Sequence, residues 1–171
     1  IDGVAVDTEK SVINWKGYKV TGEHAGTINL KNGELKFEDG ALVGGGFEID
    51  MTSIKVTDMQ GEYAGKLEGH LKSGDFFGVE NFPFAKFVIT KVSAKGTPGD
   101  YKVTGNLTIK ETTKEIRFYA NVSDDGKSAT ADIKIDRSDF DVRYGSGSFF
   151  DNLGDKTIYD EFDLNVNLVV K

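Results

Sequence analysis

Tyr101-Lys102-Val103-Thr104-Gly105-Asn106-Leu107-Thr108-Ile109-Lys110 is the stretch whose reading decides the fold class. Tyr101, Val103, Leu107 and Ile109 recur on alternate positions, with Lys102, Thr104, Asn106 and Thr108 between them. Successive side chains of a strand point to opposite faces, so this pattern describes a strand with one dry and one wet side. The same rhythm returns in Ile116, Phe118, Ala120 and Val122, then in Ala129, Ala131, Ile133 and Ile135. It closes the chain with Phe162, Leu164, Val166, Leu168 and Val170. Upstream, Phe47, Ile49 and Met51 alternate with Glu48 and Asp50. Shorter runs hold Ile13 and Trp15, Ile28 and Leu30, Leu35 and Phe37, and Phe87 and Ile89. About nine strands result.

Turn chemistry sets their connection. Lys31-Asn32-Gly33-Glu34 and Asp124-Asp125-Gly126-Lys127 carry hairpin signals, and Gly44-Gly45-Gly46 reads as a bend or bulge. Strands joined by tight turns form an antiparallel meander, and closing it into a barrel removes its edges. The predicted architecture is all-β: an antiparallel barrel of about eight to nine strands in a single domain, residues 1–171.

One segment departs from period two. Tyr63, Leu67, His70 and Leu71 draw a helical stripe, so one short helix is expected over about residues 60–73. Thr57 or Asp58 would cap its start and Gly74 its end, while Gly61, Gly65 and Gly69 weaken it. A lid over the barrel mouth, with Tyr63, Leu67 and Leu71 facing the pore, and a plain connector are both open readings.

Composition narrows the function. The 171 residues carry 21 basic and 28 acidic side chains, a net charge of -7. No basic face is available to neutralise phosphates, which argues against a nucleic-acid partner. The chain has no cysteine and only two histidines, His24 and His70, far outside local ligand spacing, so no metal site is expected. No apolar run approaches the ~18 residues of a membrane span, so no integral membrane segment is expected. The chain begins with Ile1 rather than Met, which fits either a removed leader or a trimmed start.

Catalytic frameworks are absent from the sequence. Asp136, Asp139 and Asp141 beside Arg137 and Arg143 read as solvated charges at a barrel rim. Gly145-Ser146-Gly147-Ser148 reads as a flexible loop, because it lacks the Lys-Ser/Thr of a phosphate cradle. Aromatic density is the stronger signal: Phe76, Phe77, Phe82, Phe84 and Phe87 follow the predicted helix, and Phe149-Phe150 lies in the glycine-rich loop. As a group they suggest an apolar mouth or cavity wall.

Several motifs in order resemble one family. Ser11-Val-Ile-Asn-Trp15-Lys-Gly17 with Gly22-Glu-His24-Ala-Gly26 is similar to the opening strands of the YceI-like family. Leu67-Glu-Gly-His70-Leu71-Lys-Ser73-Gly-Asp75-Phe76-Phe77 and Asn81-Phe82-Pro83-Phe84-Ala85-Lys-Phe87 resemble its central segment. Gly105-Asn-Leu107-Thr108-Ile109, Thr113-Lys114-Glu115-Ile116, Ile135-Asp-Arg137-Ser-Asp139-Phe140 and Asp160-Glu-Phe162-Asp163-Leu164 complete the order. The resemblance implies a lipocalin-like barrel that holds a long-chain isoprenoid lipid or isoprenoid quinone in an elongated pore. It also implies export to the periplasm or secretion; with no catalytic framework in the sequence, no enzymatic activity and no cofactor beyond the bound lipid are expected. A homodimer is compatible with it. Two departures touch the family pattern: Lys110-Glu111 stands where His-Gly is usual, and Phe140-Asp141 where Phe-Gly is usual. Both bear on headgroup contacts more than on the fold.

The candidate ligand-binding residues are Ile13, Trp15, Ile28, Phe37, Phe47, Ile49, Met51, Phe87, Leu107, Phe118 and Ile133 from strands. Leu67, Leu71 and Phe76 join them from the helical segment, and His24 and Arg137 from the family motifs. Burial contributes about 0.8 kcal/mol per methylene against an association cost on the order of 4 to 15 kcal/mol. Micromolar affinity from apolar contact alone then takes roughly 15 to 29 carbons. Two other readings stay open: a structural or interaction barrel with a filled core, and a lipid- or quinone-modifying enzyme using the Asp136 to Arg143 cluster.

Overall fold

The structure, a computed structural model, describes residues 2–151 and 153–171; Ile1 and Asn152 lie outside them. Its strands are β1 (Asp2–Ala5), β2 (Val12–Lys19), β3 (Gly22–Glu38), β4 (Ala41–Val56), β5 (Phe84–Ala94), β6 (Asp100–Ile109), β7 (Thr112–Val122), β8 (Ser128–Asp136) and β9 (Ile158–Val169). One α-helix among the described residues, α1 (Gly61–Lys72), separates β4 from β5. Every pairing is antiparallel, and β2 through β9 close into an eight-stranded barrel because β3 pairs with β4 as well as with β2. β1 lies outside that ring, paired to the distal half of β3.

The alternation read from the sequence matches this barrel, but the turn between β3 and β4 does not fall at the local turn signal. Asn32-Gly33 is not a hairpin: β3 runs straight through it, and Lys31 is an extra residue between the pairs Leu30–Ile49 and Asn32–Glu48. Gly33 serves packing, since a Cβ there would meet the Phe47 ring at 2.6 Å. The turn joining β3 to β4 is instead Asp39-Gly40, with φ of 50° and 81°, the positive pair that a two-residue hairpin needs. Ala41 and Leu42 pair with Glu38 and Phe37, and Gly44 with Lys36, which leaves Val43 as a bulge beside the triple glycine.

The walls do not zip evenly. β6 pairs with β7 along its whole length, but β7 meets β8 only over Tyr119–Val122 and Ala129–Asp132. Below that short ladder the segment Arg137–Val142 fills the seam, with Phe140 and Val142 entirely buried. Asp141 holds φ +62° there, a conformation that Asp tolerates better than most residues. On the other side, β4 meets β5 only over Gly46–Asp50, and α1 with the turn after it covers the rest.

Helix α1 falls where expected but is anchored differently. Its N-cap is Gln60, without a side-chain capping bond, and at its C-terminus the Ser73 hydroxyl donates to the His70 carbonyl at 2.6 Å. The packed face runs through Ala64, Glu68 and Leu71: Ala64 is buried, and the Glu68 carboxylate accepts the Val56 N–H at 2.8 Å. Tyr63 is 71% exposed and Leu67 is only half-buried, so the inward stripe is rotated from the one predicted. In this orientation the Glu68 carboxylate supplies the acceptor that a backbone amide at the end of β4 requires. Gly61 holds φ +69°, a conformation that penalises alanine, whereas Gly65 and Gly69 have open space where a Cβ would go.

Candidate functional site: two apolar chambers in the barrel

The dry faces of the strands do not meet at the barrel axis, and the space between them forms two cavities. The helix-end chamber, of about 180 Å³, is walled by Trp15, Ile28, Met51, Ile54, Ile109, Phe162 and neighbours, and covered by Leu71, Phe76 and Phe77. The far chamber, of about 120 Å³, is walled by Leu30, Phe47, Phe87, Val103, Phe118, Ile133 and Leu168 among others. Ile13, Ile49, Leu107, Ile135 and Leu164 border both chambers. They form a waist contributed by β2, β4, β6, β8 and β9.

Glycines let large rings lie flat against the wall. Trp15 covers Gly26 and Phe87 covers Gly105; a Cβ at either glycine would meet the ring at 2.5 Å. Phe47 covers Gly33 in the same way. Phe47, Phe87 and Phe118 then line up across β4, β5 and β7, with centroid separations of 6.4 and 5.6 Å. Gly17 also borders the helix-end chamber, and no atom lies within 4 Å of where its Cβ would be. Beside it the β2–β9 register shifts between Gly17 and Lys19.

The few polar groups at the walls are committed to the protein. Trp15 Nε1 donates to the Thr27 carbonyl at 3.1 Å. The Tyr18 hydroxyl donates to Asp163 at 2.5 Å, and that bond to a carboxylate pushes the phenol pKa up to about 12. Arg137 is only 4% exposed and donates from Nη1 to the Val142 carbonyl at 2.7 Å, from Nη2 to Ile158 at 2.9 Å and from Nε to Tyr159 at 3.3 Å. Burial lowers the pKa of this guanidinium, while the charges of Asp160 and Asp136 work the other way. Among the described residues no buried side-chain nitrogen or oxygen lacks a partner. Nor does any group of three or more His, Cys, Asp or Glu side chains gather into a metal-binding arrangement.

The candidate residues divide accordingly. Phe47, Phe87, Phe118 and Ile133 line the far chamber. Trp15, Ile28, Met51, Leu71, Phe76 and Arg137 line the helix-end chamber, and Ile13, Ile49 and Leu107 lie at the waist. His24, Phe37 and Leu67 border neither chamber. His24 Nδ1 lies 3.2 Å from Asp58 on the outer side, and Phe37, beyond the Val43 bulge, borders a separate polar groove at the opposite end. Leu67 is turned away by the rotation of α1.

Two rim features also differ from the sequence reading. Arg137 is a buried clip rather than a solvated charge, although Asp141 and Arg143 do form an exposed pair. Ser146 has no exposed surface; it donates to Asp160, as does Ser148, so the glycine-rich segment is pinned to β9. Gly17, Ile54, Ile135 and Leu164 were not among the candidates, although Ile135 and Leu164 stand in the alternating dry set.

Comparison with known proteins agrees with this architecture. The family model for the YceI-like domain matches residues 5–170. A UPF0312 protein of Shewanella denitrificans is 31% identical over 102 residues, covering 60% of this chain and 51% of the relative. One from Pseudomonas putida is 28% identical over 123 residues, covering 70% and 60%. The chain spans about half the length of the first of these. Among solved structures, BcnA of Burkholderia cenocepacia superposes with a TM-score of 0.78 at 23% identity, covering 97% of this chain and 99% of the other. A polyisoprenoid binding domain from Saccharophagus degradans does so with a TM-score of 0.66 at 13% identity, covering 98% and 97%. At those identities the likeness is one of fold. With its motifs in order, its eight-stranded barrel and a family match over nearly its whole length, the chain belongs to the YceI-like family.

Proposed function

We propose that this chain binds an isoprenoid lipid in the barrel interior, shielding or carrying it without catalysing a reaction on it. The observation that carries this reading is the wall of the two chambers, which is almost wholly apolar and whose few polar atoms are already satisfied within the protein. Such a surface recognises a hydrocarbon chain by shape and offers a buried headgroup little to bind. A barrel packed solid by its own side chains would leave no such chambers. The modifying-enzyme reading loses support because Arg137, the one cluster member bordering a chamber, is spent on three backbone carbonyls. The family membership and the polyisoprenoid binding of the Saccharophagus domain support an isoprenoid over other lipids. A long-chain isoprenoid or isoprenoid quinone in the periplasm or outside the cell is the form of the ligand and the setting we propose.

Trp15 reports on this directly, because its ring borders the helix-end chamber. Titration with an isoprenoid quinone should quench its fluorescence saturably, as a finite number of sites requires. Quenching that grows linearly without saturation would show collision in solution and remove the chamber as the site.

A further inference from the structure

The chambers are narrower in capacity than the affinity arithmetic demands. An apolar cavity of ~150 Å³ accepts a guest the size of benzene, so chambers of about 120 and 180 Å³ hold about a dozen carbons between them as they stand, and a longer tail enters only by displacing side chains or by leaving its head end at the mouth. The waist stands between the two. Its backbone is fixed: Ile13 pairs with Ile28 and Val166, Leu164 with Trp15 and Ile133, Leu107 with Phe87 and Lys114, and Ile49 with Leu30 and Ala85. What can move are the side chains, which make no hydrogen bonds and change rotamer without breaking a ladder. Ile13, Ile49 and Ile135 are β-branched and stiff at χ1, which leaves Leu107 and Leu164 as the adjustable members.

We propose that this waist is the tail-length selector of the barrel, a reading that rests on the isoprenoid function above. A short tail occupies the helix-end chamber and stops at the waist. A longer one binds by turning Leu107 and Leu164 aside and threading into the far chamber, where Phe47, Phe87 and Phe118 receive it. The residues that set chain-length preference are therefore the pair on β6 and β9, not the residues at the mouth.

The test compares geraniol with geranylgeraniol, which has twice its tail, each titrated by Trp15 fluorescence against the full chain. The measured quantity is the ratio of the two affinities. A methylene is worth about fourfold in affinity, so a change in how far the longer tail reaches moves that ratio by tenfold or more. Leu107→Phe should shift the ratio at least tenfold toward geraniol. Leu164→Ala, which widens the waist, should shift it at least tenfold toward geranylgeraniol; it decides the matter alone if circular dichroism shows that Leu107→Phe fails to fold. Ratios within twofold of wild type in folded variants overturn the selector while leaving the isoprenoid reading intact. Binding of neither alcohol by the wild-type chain overturns that reading, and the selector with it.

Discussion

Phe47→Asp should abolish isoprenoid binding and lower stability by several kcal/mol at neutral pH. Phe47 borders the far chamber, lies over Gly33 and stands 6.4 Å from the Phe87 ring, with no cation among the residues lining that chamber. An unpaired carboxylate there loses its hydration and gains nothing in return. The effect has a definite pH dependence. Burial raises the folded-state pKa of the introduced carboxyl above its unfolded value near 4, so the ionisation part of the penalty is absent in acid, grows as pH rises through that value and levels off above the raised folded-state pKa. Urea titrations at two pH values, with Phe47→Leu as the apolar control, separate this from a simple loss of volume. A variant equally stable at both pH values and still able to bind would place Phe47 outside the pore.

Arg137→Ala should cost about 3–5 kcal/mol, read as a fall in the urea midpoint, because it strips charged donors from three carbonyls at once. Those carbonyls belong to Val142, which is fully buried, and to Ile158 and Tyr159 at the start of β9. The guanidinium clips the segment that fills the β7–β8 seam to the strand beside it. Arg137→Lys should recover only part of the loss, since an ammonium cannot reach three carbonyls in a planar fork. If Arg137 instead serves chiefly to hold a lipid headgroup, Arg137→Ala will weaken binding while leaving the midpoint in place. That outcome would contradict the clip.

The sequence made the barrel legible because alternation survives in nearly every strand, and alternation is a local property. Leu107, Phe118 and Ile133 could be assigned to the interior for that reason alone. Features that depend on closure were not legible. Asn32-Gly33 carries a strong turn signal, yet β4 pairs across it and the Phe47 ring needs the glycine, so tertiary pairing overrode local chemistry. The rotation of α1 goes with a long-range contact, the Val56 amide donating to Glu68, that no helical periodicity encodes. Arg137 looked like rim charge because its neighbours in sequence are acidic, whereas its partners in space are backbone carbonyls that no side-chain pattern encodes. The waist is built from five strands and exists only once the ring has closed.

The central claim is that the interior holds an isoprenoid. It is tested most directly by purifying the protein from its native source without detergent, extracting it with organic solvent and identifying the extract by mass spectrometry. An isoprenoid lipid or isoprenoid quinone is expected in near-equimolar amount, and is expected to be lost from Phe47→Asp. A lipid-free extract from folded protein, or one holding only straight-chain fatty acids, would contradict it.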